Sequence, residues 1–279
     1  MNKTALIIAL TSIQLCAHAL PVSKSYDPKP MVEGNRRVDE LIEWNKNHPG
    51  EMPPLTEQEK YEFFIKEGVP VPGSGAQVVE STKAFHLSKE QASVFAKFNT
   101  DQKVKGFHEE DSRTAKFLLD IPSIAEKEYN QRKNLTYDPS DTHLYEIKSN
   151  LKMNYQYKGV PSHLATKVIG YSPESSFIQN GWAGAVEFFV PSFGDVCAYH
   201  EVNISLTKST TSIPKDIATY LVNKKITTVN TVGSDKSGYV YQVEWWDSKF
   251  KKVLECASKN YYQERKNAVI ELAKKIDSN

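Results

Sequence analysis

From residue 143 to 256 the chain is cut into eight short stretches: 143–149, 151–158, 164–171, 183–190, 197–206, 225–232, 238–246 and 250–256. They are rich in Tyr, Val, Ile, Phe and Thr and are punctuated by Gly, Pro, Asn and Asp. β-branched and aromatic side chains suit a pleated surface and the punctuating residues suit turns, so this half of the chain predicts an antiparallel sheet. In the fifth stretch Val202, Ile204 and Leu206 alternate with Glu201, Asn203 and Ser205, the pattern of a half-buried strand. Gly238 to Trp246 and Phe250 to Cys256 flank the turn-forming Asp247-Ser248-Lys249 and predict a hairpin. Two helices are expected around these strands. One spans Pro214 to Asn223, with Ile217, Tyr220 and Leu221 at helical spacing. The other spans Asn260 to Ile276, where Val269, Leu272, Ala273 and Ile276 make the stripe that would close over one sheet face.

Upstream the periodicity is helical. Val38, Leu41 and Ile42 mark a short helix that stops at His48-Pro49-Gly50. Thr56 and Glu59 form a capping-box pattern before Tyr61, Phe64 and Ile65, and Gly68 ends that segment. Val69 to Gly75 reads as a Pro/Gly linker. Ser88 with Gln91 repeats the capping pattern before Ala92, Phe95 and Ala96. Further helical spacing is expected around Ala115 to Leu119 and, after Pro122, from Ser123 to Lys133. Residues 20–33, with Pro21, Pro28 and Pro30, read as an extended leader.

The first 19 residues have the layout of a secretory signal: Lys3, an apolar run from Ala5 to Ile13, and Ala17-His18-Ala19 at the cleavage positions. The run is about half of the roughly 20 residues a bilayer span needs, and Leu15 occupies the place where lipidation at Cys16 would call for Gly or Ala. Cleavage removes one basic group and one of the 3 cysteines, leaving 34 basic and 34 acidic groups with Cys197 and Cys256 as a pair. In an oxidising compartment a bridge between them is the leading expectation, ahead of two free thiols or half a zinc site formed with His200. Two sequons, at Asn134 and Asn203, would matter only in a eukaryotic secretory route, and the short signal reads as bacterial.

The near-neutral charge gives no footprint for nucleic acid, and no stretch after the signal is long and apolar enough to span a membrane. Elbow, zincin, P-loop, dinucleotide and C-x-x-C patterns are all missing. The acidic run Glu109-Glu110-Asp111 beside His108 reads as a solvated helix start rather than a metal site, and no cofactor is expected. His200 is the one catalytic candidate, on the face of Val202, with Asp195, Glu187 and Glu244 as acidic partners that other parts of the fold would have to bring to it. Trp182, Tyr239, Tyr241, Trp245 and Trp246 are sheet core or, alternatively, interface aromatics. Adjacent Trp245 and Trp246 must point to opposite faces.

These observations predict an α+β protein: a signal at 1–19, a leader with two short helices and a linker at 20–75, a helical region at 76–140, and a sheet domain at 141–279. The order of elements resembles, in layout only, accessory subunits of bacterial envelope assemblies. The expected role is that of an exported, non-enzymatic interaction protein, periplasmic, outer-membrane-associated or secreted, with other envelope or secreted proteins as partners. The alternative is an exported hydrolase or small-ligand binder using His200.

Overall fold

Period-2 alternation in the C-terminal half builds six strands of a seven-stranded sheet, whose order is His108–Glu109, Ile226–Ser234, Gly238–Trp246, Phe250–Ser258, Val196–Asn203, Gly181–Pro191 and Ala165–Ile178. The computed structural model describes residues 43, 44, 46, 47, 75–79, 89–132 and 140–279. The expected signal, the extended leader and the second of the two short helices lie outside these residues, and of the first short helix only Glu43, Trp44, Lys46 and Asn47 are described. The strands are β1 (Gly75–Val79), β2 (His108–Glu109), β3 (Ala165–Ile178), β4 (Gly181–Pro191), β5 (Val196–Asn203), β6 (Thr210–Pro214), β7 (Ile226–Ser234), β8 (Gly238–Trp246) and β9 (Phe250–Ser258). The α-helices are α1 (Lys89–Val104), α2 (Arg113–Arg132), α3 (Ile204–Thr207) and α4 (Gln263–Asp277). All pairings in the large sheet are antiparallel except β2 with β7, and β1 and β6 form a separate parallel pair.

The β8–β9 hairpin follows from its turn chemistry. The Asp247 carboxylate accepts the backbone N–H of Lys249 at 2.9 Å and of Phe250 at 2.8 Å, an Asx turn that closes the loop. Successive side chains then alternate between two cores. On one face Cys197, Tyr199, Tyr241, Val243, Trp245, Leu254 and Cys256 pack under Val269, Leu272, Ala273 and Ile276 of α4. On the other, Ala198, Val186, Phe188, Val240 and Ala257 pack under Ala115, Leu118, Ile121 and Ala125 of α2. The predicted stripe of α4 is therefore the buried one, and Cys197 faces Cys256 across adjacent strands in a disulfide. Trp245 and Trp246 do point oppositely, Trp246 packing with Val202, Ile204 and Ile213.

Several expectations fail, each for a tertiary reason. Pro122 does not break the helical segment, since α2 runs unbroken through it. An interior proline costs about 3 kcal/mol, but Ala115 and Leu118 before it and Ile121 and Ala125 beside and after it are buried on one face, which offsets that cost. Stretches 143–149 and 151–158 are not strands. They contribute single bridges, Tyr145 to Tyr171 and Met153 to Trp182, and their aromatic residues are buried against the sheet instead of pairing along it. Pro214–Asn223 is not a helix, because Thr219 exchanges backbone hydrogen bonds of 2.7 and 2.8 Å with Thr227 and is held extended. The fifth stretch ends at Asn203, whose side chain accepts the Leu206 N–H and starts α3, so the alternation stops before Ile204 and Leu206. Strands β1, β2 and β6 carry too few residues to show a period, and β1 and β2 fall in what reads as a helical region.

Candidate functional site

On the α2 face the apolar packing gives way to a polar band that crosses five strands. Directly opposed residues in a sheet share a face, so the register places Asn230, Gln242, Glu255 and Ala198 in one row, and Thr228, Glu244, Val253, His200 and Val186 in the next. The Asn230 amide donates to Gln242 at 2.9 Å, and the Gln242 amide donates to Glu255 at 2.8 Å. Glu255 Oε2 lies 3.5 Å from His200 Nε2, and His200 Nδ1 is 2.9 Å from Glu174 Oε2. Lys251 Nζ pairs with Glu244 at 2.6 Å.

Glu174 belongs to β3, two strands from β5. Its carboxylate reaches His200 where β4 presents Gly184, the register partner of Glu174, so no side chain stands between them. The register shifts just beyond Glu174, where Ser175 takes a left-handed φ of 70°. Bulges of this kind re-aim side chains next to functional sites.

The band opens into a groove of ≈ 330 Å³ between the first turns of α2 and the sheet, lined by Arg113, Phe117, Phe188, His200 and Glu255 among others. Ser112 starts α2 there, its hydroxyl accepting the Ala115 N–H at 3.1 Å. Phe117 is 46% exposed at the groove's rim. No family model, curated protein or solved structure matches this chain. The chemistry of the groove has to come from its own groups.

That chemistry is dominated by one imidazole. Burial by itself would lower the His200 pKa, but Glu174 and then Glu255 outweigh it and push it up to about 10. The same contact holds Glu174 below the usual carboxylate value against the effect of its burial. Near neutrality His200 is thus an imidazolium, its Nδ1 hydrogen-bonded to Glu174 and its Nε2 at ion-pair distance from Glu255 without a hydrogen bond. It has no lone pair with which to act as a general base.

Of the sequence-proposed partners, Glu244 joins the band through Lys251, while Glu187 and Asp195 do not. Glu187 is directly opposite Tyr199, on the α4 face, and its Oε2 accepts the Val160 N–H at 2.9 Å. Asp195 pairs with Arg265 at 3.0 Å. The two residues that do touch His200, Glu174 and Glu255, were not singled out by the sequence. Glu255 had a signal, since it precedes Cys256 and so faces away from the disulfide, as His200 does at three residues from Cys197.

The five aromatics proposed as interface anchors are all buried within the chain, Trp182 at 7% exposure and Trp245 at 0%. They form core because both faces of the sheet are covered. His108 lies 3.0 Å from Asp101 and stacks at a tilt on Phe98. Among the described residues no group of three or more His, Cys, Asp or Glu is placed to hold a metal ion, and no helix is long and apolar enough to cross a membrane.

Proposed function

We propose that this is an exported, non-enzymatic binding protein that works in an assembly of the cell envelope, periplasmic, outer-membrane-associated or secreted. The observation that carries the non-enzymatic part is the place of His200 between two carboxylates, hydrogen-bonded to Glu174 and 3.5 Å from Glu255. An imidazolium held charged by Glu174 and Glu255 organises a sheet face, whereas a general base near neutrality needs a deprotonated ring nitrogen. The signal-like first 19 residues and the Cys197–Cys256 bridge support the compartment, because disulfides persist where the milieu is oxidising.

Tagged protein isolated from gently solubilised envelopes after chemical cross-linking is expected to carry one or a few partners in fixed ratio. Recovery as a free monomer from every fraction would overturn the assembly reading. A second reading, a hydrolase or small-ligand binder, draws support from the groove that joins His200 and Glu255 to Arg113. Its hydrolase form requires His200 to titrate near neutrality, which NMR of the imidazole tests directly.

A further inference from the structure

The outer edge of β7 is closed piecemeal. In an antiparallel strand alternate residues point both backbone groups to the same side, so Thr227, Val229, Thr231 and Gly233 face away from β8. Thr227 is paired by the backbone of Thr219. Thr231 is paired by the side-chain amide of Gln102 in α1, which donates to its carbonyl at 2.7 Å and accepts its N–H at 3.1 Å, imitating a neighbouring strand. Gly233 O accepts the Glu110 N–H at 3.1 Å. Among the described residues nothing pairs with Val229, which leaves one open position between two made ones.

Val229 sits in the wall of a cavity of ≈ 240 Å³, which also has Phe95 and Phe98 of α1 and Ile217 on its apolar side. That is somewhat below the roughly 300–1,000 Å³ that encloses a drug-sized ligand, so the space suits one large side chain. Two ammonium groups, Lys103 and Lys266, line the same cavity. Among the described residues neither has a carboxylate partner. Burial holds Lys266 below the usual lysine value. Asp216, on the same lining, already has a partner.

We propose that this slot binds the extended C-terminal end of a partner protein, its main chain pairing with Val229, its last large apolar side chain filling the cavity, and its carboxylate meeting Lys266. The alternating edge pattern calls for a peptide group rather than a plain apolar ligand, as in strand addition to a sheet edge. The flanking pairs at Thr227 and Thr231, about 13 Å apart along the strand at ~3.3 Å per residue, limit the insert to roughly three residues. A chain end fits that length better than a through-running strand, and a chain end brings the anion that the two lysines lack.

The proposal rests on the binding-protein reading above. Its test uses the ¹⁵N-labelled chain from Leu20 onward and two probes, acetyl-Thr-Val-Phe with a free carboxylate and the same peptide as its C-terminal amide. The acid is expected to shift the Val229 amide resonance and slow its hydrogen exchange, and the amide to bind about tenfold more weakly for want of the charged contact. Lys266→Met should bring the acid down to the amide's affinity, while N-methylation of the peptide's main chain should abolish the Val229 shift with the fold unchanged. A Val229 resonance unmoved at millimolar acid, equal binding of acid and amide, or shifts confined to another surface would overturn it. If cross-linking recovers a partner but the peptides leave Val229 unmoved, the slot fails alone. If the peptides bind and no partner is recovered, the assembly reading fails alone.

Discussion

Glu187→Gln should reverse part of the protein's pH dependence. Glu187 lies in β4 at 2% exposure, its carboxylate accepting the Val160 N–H. Burial raises its pKa to about 7 from 4.5, with the Val160 hydrogen bond and the Lys148 ammonium opposing. A raised folded-state value means that the folded chain holds this proton more tightly than the unfolded chain. The linked stability is therefore fully present below pH 4.5 and is lost as pH rises through 7. The gap between 4.5 and 7 corresponds to about 3 kcal/mol at ~1.36 kcal/mol per pH unit. Glutamine keeps the shape and the acceptor for Val160 and has no proton to lose. The stability of the variant minus that of the natural chain should thus grow by about 3 kcal/mol between pH 4.5 and pH 8.5. Urea unfolding followed by tryptophan fluorescence at a series of pH values measures that difference, and titrations common to both proteins cancel in it. A flat difference, or one that shrinks as pH rises, would refute the reasoning.

Three further outcomes are expected. Replacing Cys197 and Cys256 together by Ala removes a bridge spanning 59 residues, and the chain-entropy treatment values that at about 4 kcal/mol; a denaturation midpoint unchanged from the oxidised natural chain would contradict it. The His200 ring protons should show no titration between pH 5 and 8, because the value of about 10 lies above that window, and a midpoint near 6.5 would show that Glu174 and Glu255 do not hold it charged. Asp277 accepts from Trp245 Nε1 at 2.9 Å and pairs with Lys225 at 2.6 Å and Lys252 at 3.1 Å. Against the effect of burial, these contacts lower its pKa to about 2. Its contribution is then present above pH 3.8 and lost as pH falls through 2, so Asp277→Asn should destabilise at pH 7 and matter little at pH 2. Equal destabilisation at both would argue against the ion-pair account.

The fold was legible where a local signal and its tertiary use coincide. The β8–β9 hairpin is one such place, since Asp247 supplies its own turn and both arms alternate. α4 is another, because its stripe is also its buried face. Pro122 shows the limit, as its local meaning is a helix end and the packing on either side of it overrules that. The stretches at 143–149 and 151–158 have strand composition for a different reason, because the same tyrosines serve equally well as a pad laid on a sheet. Local composition cannot separate pairing from packing.

The polar band divides in the same way. None of the acidic residues the sequence offered to His200 contacts it, but Glu255 follows from placing Cys197 opposite Cys256, because register fixes every later pair in the two strands. Glu174 could not be read from the sequence. It meets His200 by crossing β4 at Gly184 beside a shift in register, and only the strand order puts those three residues in line.

By itself the sequence determined the class of the protein: an antiparallel sheet with a closing helix, and one cysteine pair. These follow from side-chain period and turn chemistry, which act over a few residues. The tertiary structure alone decided that the aromatic residues are core, that His200 lies between Glu174 and Glu255, and that one position of β7 stays open beside a cavity. Each of these depends on which strands are neighbours and what covers them, and residues far apart in the chain settle both.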